Sequence, residues 1–258
     1  MPVPVNFFSP KELVQFERDG FLIARGLVAR SSCEAMKAVA IRHLSENIPP
    51  LEYESQVRYP GAPASFDAPG GRTVRRLLQA YARDEIYRHW ATSPEIVERL
   101  NGLLGPELRL SQAHHNCIMT KNPAFSSVTG WHQDIRYWSF QKPQLVSAWL
   151  ALGVEHEENG CLWLVPGSQL MEYRRDQYDG DLFFRSDLPS NASILKARIP
   201  AELDEGDVLF FHCRLLHAAG RNRTDLTKFA AVFTYHAADN SPLPGSRSAS
   251  LAEIALTS

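Results

Sequence analysis

The chain has 258 residues, with 27 basic and 29 acidic side chains and an apolar fraction of 44%, values ordinary for a globular protein. That near-neutral balance argues against a nucleic-acid or membrane-surface protein, whose binding rests on a concentrated positive field. The four cysteines, Cys33, Cys117, Cys161 and Cys213, are far apart with no C-x-x-C pair. This argues against a zinc ribbon or a thioredoxin-like motif and reads as buried free thiols in a reducing compartment. The opening MPVPVNFFSPKELVQF has no positive region followed by an apolar core, so no signal peptide is expected. No stretch approaches the roughly 20 apolar residues of a membrane helix. A cytoplasmic protein is the expectation.

Helical signals come first. Ser9-Pro10-Lys11-Glu12 reads as a capping box with proline at the first helical position, and Gly20 ends that helix. A second helix is predicted to start after Ser31 or Ser32, with Met36, Val39, Ala40 and Leu44 at helical spacing. Ser93-Pro94-Glu95 opens a third, closed by Gly105. Residues 47–72, rich in Pro, Gly and Ser, read as a long loop of the kind that serves as a lid or binding loop.

From residue 107 the pattern changes to short runs bounded by Gly, Pro, Asn and Asp. ELRLSQAHHNCIM, QLVSAWLALGV, GCLWLVPG, SILKARI, GDVLFFH, CRLLHAA and KFAAVFTYH read as seven strands. Residues 168–192 show no alternation and are expected to form a second loop or a short helix. Helices followed by many short strands suggest a β-sandwich or barrel wrapped by N-terminal helices.

The stretch GWHQDIRYW at 130–138 carries His132 and Asp134 two residues apart. On a strand both point to one face, so they can grip one ion while Gln133 points elsewhere. A facial triad of two histidines and one carboxylate, typical of non-heme iron(II) oxygenases, needs a second histidine. His43 and His89 fall in helical segments, and His156 lies in an acidic turn. His114, His115, His212, His217 and His236 lie on strands, and spacing alone does not choose between His212 and His217.

Three ordered stretches resemble the phytanoyl-CoA dioxygenase family of Fe(II)/2-oxoglutarate-dependent oxygenases. They are WHQD at 131–134, SAWLALGVEHEENGCLWLVPGS at 147–168 and GDVLFFHCRLLHAAGRNRT at 206–224. The resemblance implies a mainly β protein: a double-stranded β-helix (jelly roll, cupin-like) flanked by N-terminal helices. One domain over 1–258 is expected, helical to about 105, jelly roll over about 106–240, and a tail at 241–258. It implies iron(II) held by His132, Asp134 and His217, with 2-oxoglutarate and dioxygen as cosubstrates. It also implies hydroxylation of a small-molecule or acyl substrate, with release of succinate and CO2. Because Asp134 is retained, hydroxylation is favoured over halogenation.

Family members usually place an arginine eleven residues after the distal histidine to bind the far carboxylate of 2-oxoglutarate. Here that residue is Lys228, and a serine usual two after the histidine is Ala219. Lysine keeps the charge but loses the bidentate fork. Alternation puts Lys228, Ala230, Val232 and Thr234 on a cavity face and Phe229, Ala231, Phe233 and Tyr235 on a face toward the helices. Trp149, Gln133, Cys117 and Arg76 are further cosubstrate candidates by resemblance. The substrate is expected against loops 47–72, 136–142 and 168–192, with Arg136, Tyr137 and Trp138 next to the metal motif. Two other classes remain open: a non-catalytic jelly-roll ligand-binding or sensor protein, and a cupin-like metal enzyme that does not use 2-oxoglutarate. A metal held by His114 or His115 would favour the latter.

Overall fold

A computed structural model describes residues 7–57 and 59–256. The expectation about a signal peptide falls partly on residues 1–6, outside the described residues. The first helix, α1 (Pro10–Asp19), has the anticipated ends. Ser9 and Glu12 close the capping box, and Gly20 sits in the left-handed region at φ 81°. The chain then forms β1 (Phe21–Ala24) and α2 (Arg30–Ser45). Helix α2 starts before either serine; its N-cap, Ala29, makes no side-chain hydrogen bond. Burial of Cys33, Met36 and Ala40 fixes this helix, rather than a cap.

The segment read as one loop at 47–72 contains a strand. Strands β2 (Leu51–Tyr53) and β3 (Val74–Leu78) pair antiparallel, with Leu51 opposite Leu77. Two short helices, α3 (Ala80–Arg83) and α4 (Glu85–Ala91), follow, and Asp84 caps the second by accepting from Ile86 N–H at 3.1 Å. Helix α5 (Pro94–Leu104) ends at Gly105 as expected.

The β region consists of β4 (Leu108–Lys121), β5 (Thr129–His132), β6 (Leu145–Ala151), β7 (Leu162–Leu164), β8 (Ile199–Ala201), β9 (Val208–His212), β10 (His217–Ala219), β11 (Lys228–Ala237) and β12 (Ile254–Leu256). One anticipated strand is corrected. In SILKARI, Ser193–Leu195 finish a helix, α6 (Pro189–Leu195), which opens with proline at its first turn. Only Ile199 of that run joins β8.

Among the described residues the strands form two antiparallel sheets, the jelly-roll arrangement. The larger runs β1-β9-β6-β11-β4-β3-β2, with β12 added beside β4; the smaller runs β5-β10-β7-β8. The outer face of the larger sheet carries Phe229, Ala231, Phe233 and Tyr235 of β11. They pack on Phe16, Met36, Tyr87, Trp90, Ile96 and Leu100 of the helices. The Tyr235 hydroxyl donates to Ala91 O at 2.8 Å, tying β11 to α4. The inner face carries smaller groups, Ala230 and Val232, with Cys117 and Trp149. Alternation along β11 therefore separates a helix-binding face from a cavity face, as the sequence pattern indicated. No helix among the described residues is long and apolar enough to cross a membrane.

Candidate metal centre

Strand β9 belongs to the larger sheet and β10 to the smaller. GDVLFFHCRLLH is therefore not a hairpin but a corner that carries the chain between sheets. This separates the two candidate histidines. His212 ends β9 with its ring 6.5 Å from that of Phe16, on the helix side. His217 opens β10 as the direct cross-strand partner of His132 on β5.

Strand β5 ends at His132, and Asp134 begins a single 3-10 turn, Asp134–Tyr137. Gln133 between them is extended (φ −119°, ψ 127°), so the alternation expected of a strand persists one residue beyond the ladder. The Gln133 side chain turns away from the metal centre. Its amide nitrogen donates to Arg214 O and its oxygen accepts from the Tyr178 hydroxyl at 2.8 Å. Gln133 thus braces the motif from behind and is not part of the pocket wall.

Ligand atoms of His132, Asp134 and His217 all lie within 4.8 Å of one another, the one such cluster found among the described residues. Both histidine Nε2 atoms are 3.7 Å from Asp134 Oδ1. His132 Nδ1 donates to Gly130 O at 2.8 Å and His217 Nδ1 to Leu215 O at 3.0 Å. These carbonyls can only accept, so each Nδ1 carries a proton, the tautomer that in a neutral ring leaves Nε2 as the lone-pair donor toward a metal. Burial holds the His217 imidazole down to about 4, which keeps it neutral near pH 7. Burial would raise the Asp134 carboxyl, but His115, His217 and His132 outweigh it and hold the group well below the usual range. Asp134 Oδ2 is buried with no hydrogen-bond partner. Two imidazoles whose Nδ1 tautomer turns Nε2 toward the centre, and an orphaned carboxylate, fit a divalent cation of the iron type.

His115 stands close by, its Nδ1 3.2 Å from Ser147 Oγ and 3.7 Å from Asp134 Oδ2. His114 stacks on Trp138 with ring centroids 4.8 Å apart. Neither joins the cluster.

A pocket between the sheets is lined by His132 and His217 and, on the same wall system, by Lys121, Trp149 and Lys228. Arg75 and Arg76 of β3 line it too, and both lie near Glu52, with nitrogen–oxygen distances of 3.4 and 3.3 Å. Lys228 faces inward as expected, yet its Nζ lies 2.6 Å from Glu155 Oε2. The Trp149 indole N–H donates to the other oxygen of Glu155 at 2.8 Å. Cys117 does not reach the pocket surface. It is buried in the inner apolar cluster, and burial pushes its thiol up to about 11. Ala219 lines the pocket. Arg221 and Arg223 border a separate groove with Trp163.

The sequence reading missed Arg75, Met119 and Lys121. The signal for the last two was present, because period-2 alternation from Cys117 reaches Met119 and then Lys121. Around the metal centre, the Tyr137 ring is 6.2 Å and the Phe183 ring 5.9 Å from the His132 ring, and Tyr59 packs on Phe183 at 5.3 Å. These three aromatics come one from each of the loops expected to face substrate. Arg136 is drawn off to stack over Tyr178 at 3.9 Å. Trp138 packs on His114 and His115. Arg174 and Arg185 form exposed pairs with Asp176 and Asp187.

A jelly roll with two histidines and a carboxylate gathered beside a cation-lined pocket defines a class, the non-heme iron oxygenases that use a 2-oxo acid. Comparison with known proteins narrows it. The family model of phytanoyl-CoA dioxygenase (PhyH) matches residues 16–230. The peroxisomal phytanoyl-CoA dioxygenase of Bos taurus is 26% identical over 241 residues, covering 91% of this chain and 69% of that protein. Phytanoyl-CoA dioxygenase domain-containing protein 1 of Mus musculus is 26% identical, covering 88% of this chain and 89% of its own length. Among solved structures, the non-heme α-ketoglutarate-dependent epimerase SnoN from nogalamycin biosynthesis superposes with a TM-score of 0.71 at 23% identity, covering 92% of this chain and 85% of its own. EctD from S. alaskensis with 2-oxoglutarate and 5-hydroxyectoine gives 0.76 at 18% identity, covering 92% and 78%. The chain belongs to the phytanoyl-CoA dioxygenase family.

Proposed function

We propose that the protein hydroxylates an unactivated C–H bond of a small-molecule or acyl substrate, with conversion of 2-oxoglutarate to succinate and CO2. The observation that carries this reading is the convergence of His132, Asp134 and His217, with ligand atoms within 4.8 Å, beside a pocket lined by both histidines and by lysines. In it, His132 Nε2, His217 Nε2 and the Asp134 carboxylate hold iron(II). A 2-oxo acid chelated by iron(II) couples its oxidative decarboxylation to insertion of one oxygen atom into a C–H bond.

The protein's own groups do the rest. Gly130 O and Leu215 O fix the imidazole tautomers. The cationic wall of Lys121, Lys228, Arg75 and Arg76 matches a dicarboxylic cosubstrate. Trp149 supplies a flat apolar side beside that wall. Tyr137, Phe183 and Tyr59 form an aromatic rim that shields the reacting centre and receives the substrate. Four buried free cysteines support a reducing compartment, in our reading the cytoplasm.

The test is anaerobic. Iron(II) and then 2-oxoglutarate are added to metal-free protein, and the visible charge-transfer band of a chelated 2-oxo acid is followed. The wild type is expected to develop the band and His217→Ala to lack it. Iron binding without a band in the wild type would overturn the 2-oxoglutarate reading. Succinate release across a substrate panel then identifies the substrate.

A further inference from the structure

Lys121 and Lys228 are direct cross-strand partners on β4 and β11, and both line the pocket. Their surroundings differ. Lys228 is held by Glu155 at 2.6 Å and lies 5.2 Å above the Trp149 ring, so its charge is already matched. Lys121 Nζ donates to Ser127 O at 3.3 Å, and among the described residues no ion pair joins it to a carboxylate. A cation in such a place is unfavourable until an anion arrives.

The stem of Lys121 also has a prepared path. Gly160, in the left-handed region at φ 76°, lies against it; a Cβ there would stand 2.7 Å from Lys121 Cε and 2.7 Å from Gly220 O. Asn159-Gly160 therefore does more than turn the chain, because its missing side chain lets the lysine cross the pocket wall.

We propose that Lys121, and not Lys228, grips the far carboxylate of the 2-oxo acid, while Glu155, Lys228 and Trp149 form a fixed wall that positions that carboxylate. This rests on the reading of the pocket as a 2-oxoglutarate site. It assigns the preference for a dicarboxylic over a monocarboxylic 2-oxo acid to Lys121.

A pH signature follows. Lys121 is faced by Lys228 of β11, Arg75 of β3, Glu54 after β2 and Glu155 after β6. Burial first, then Lys228 and Arg75, bring its ammonium down to about 7, against the pull of Glu54 and Glu155. Below that pH the ammonium is present before binding. Above it, binding must take up a proton, so affinity for the dianion falls as pH rises.

The experiment is calorimetric titration of anaerobic iron(II)-loaded protein with 2-oxoglutarate and with 2-oxobutyrate, which has the same chelating head and no far carboxylate. Lys121→Met is expected to raise Kd for 2-oxoglutarate about 30-fold, or about 2 kcal/mol at about 1.4 kcal/mol per decade, and to shift 2-oxobutyrate less than about threefold. It should also flatten the weakening of 2-oxoglutarate binding above pH 7. Lys121→Arg should restore much of the affinity. Equal losses for both acids, or no loss for either, would overturn the role of Lys121 while leaving the pocket assignment in place. Failure of the wild type to bind either acid would overturn the pocket assignment and the inference with it. Lys121→Gln, nearer in shape and polarity, should show the same discrimination and guards against a folding defect in the Met variant.

Discussion

Lys228 Nζ and Glu155 Oε2 are 2.6 Å apart, with side-chain exposures of 6% and 0%. A pair this deep behaves unlike a surface salt bridge, because removing one member strands a charge in a poorly solvated place. Lys228→Met is expected to lower the unfolding free energy of metal-free protein by about 3–5 kcal/mol. Adding Glu155→Gln should recover more than half of that, since the stranded charge is gone. Urea unfolding checks both. A loss in Lys228→Met below about 1 kcal/mol, the range of exposed pairs, would mean that the ion pair is solvated.

Asp134 Oδ2 is buried without a hydrogen-bond partner, and two imidazole Nε2 atoms lie 3.7 Å from its other oxygen. A cation that binds the folded chain and not the unfolded one must raise thermal stability by mass action. Excess iron(II) or manganese(II) under anaerobic conditions should raise the Tm of the wild type by several degrees. His132→Ala and Asp134→Asn should lose that increment. A retained metal increment in either variant would remove that residue from the centre.

How much of this was legible in the sequence depends on whether the signal was local. The capping box at Ser9 and the stop at Gly20 are set by neighbours within four residues, and both ends of α1 emerged as read. The alternation of β11 is equally local and separated the helix-facing from the cavity-facing residues. The family motifs led to His132, Asp134 and His217, which the fold brings together. What was not legible is long-range. Nothing near Lys228 announces that Glu155, 73 positions away, will occupy it. Nothing near Gln133 announces Arg214 O or Tyr178. SILKARI has the apolar spacing of a strand, but Pro189 upstream starts a helix that takes its first three residues.

The neutral histidines set an acid limit on stability. Burial holds His212 down to about 4 and His114 to about 3, from an ordinary value of 6.5. His115 and His217, each at about 4, act in the same direction. These folded values lie below the unfolded one, so the unfolded chain binds more protons across that interval and stability declines as pH falls through it. At His212 the reason is visible, since Nδ1 accepts the Arg214 N–H at 3.0 Å, which an imidazolium cannot do. The Tm of metal-free protein is expected to fall steadily from about pH 6.5 to about pH 4. His212→Gln, away from the metal centre, should make the decline shallower. An unchanged slope in that variant would show that His212 titrates alike in both states.

Gly160 offers a test of pocket geometry that leaves every charge in place. Gly160→Ala would force a side chain into the left-handed region at φ 76° and set its Cβ 2.7 Å from both Gly220 O and Lys121 Cε. The lysine stem can swing aside, while the backbone oxygen yields less readily. A stability loss of about 1–3 kcal/mol is expected from the strained backbone and the clash. The displaced lysine should weaken 2-oxoglutarate more than 2-oxobutyrate, repeating in kind the discrimination lost in Lys121→Met. Two effects are thus separable in one variant: unfolding reports the turn, and the ratio of the two dissociation constants reports the lysine. If stability drops while the ratio stays at its wild-type value, Gly160 serves the turn alone and Lys121 does not depend on it for its place in the wall.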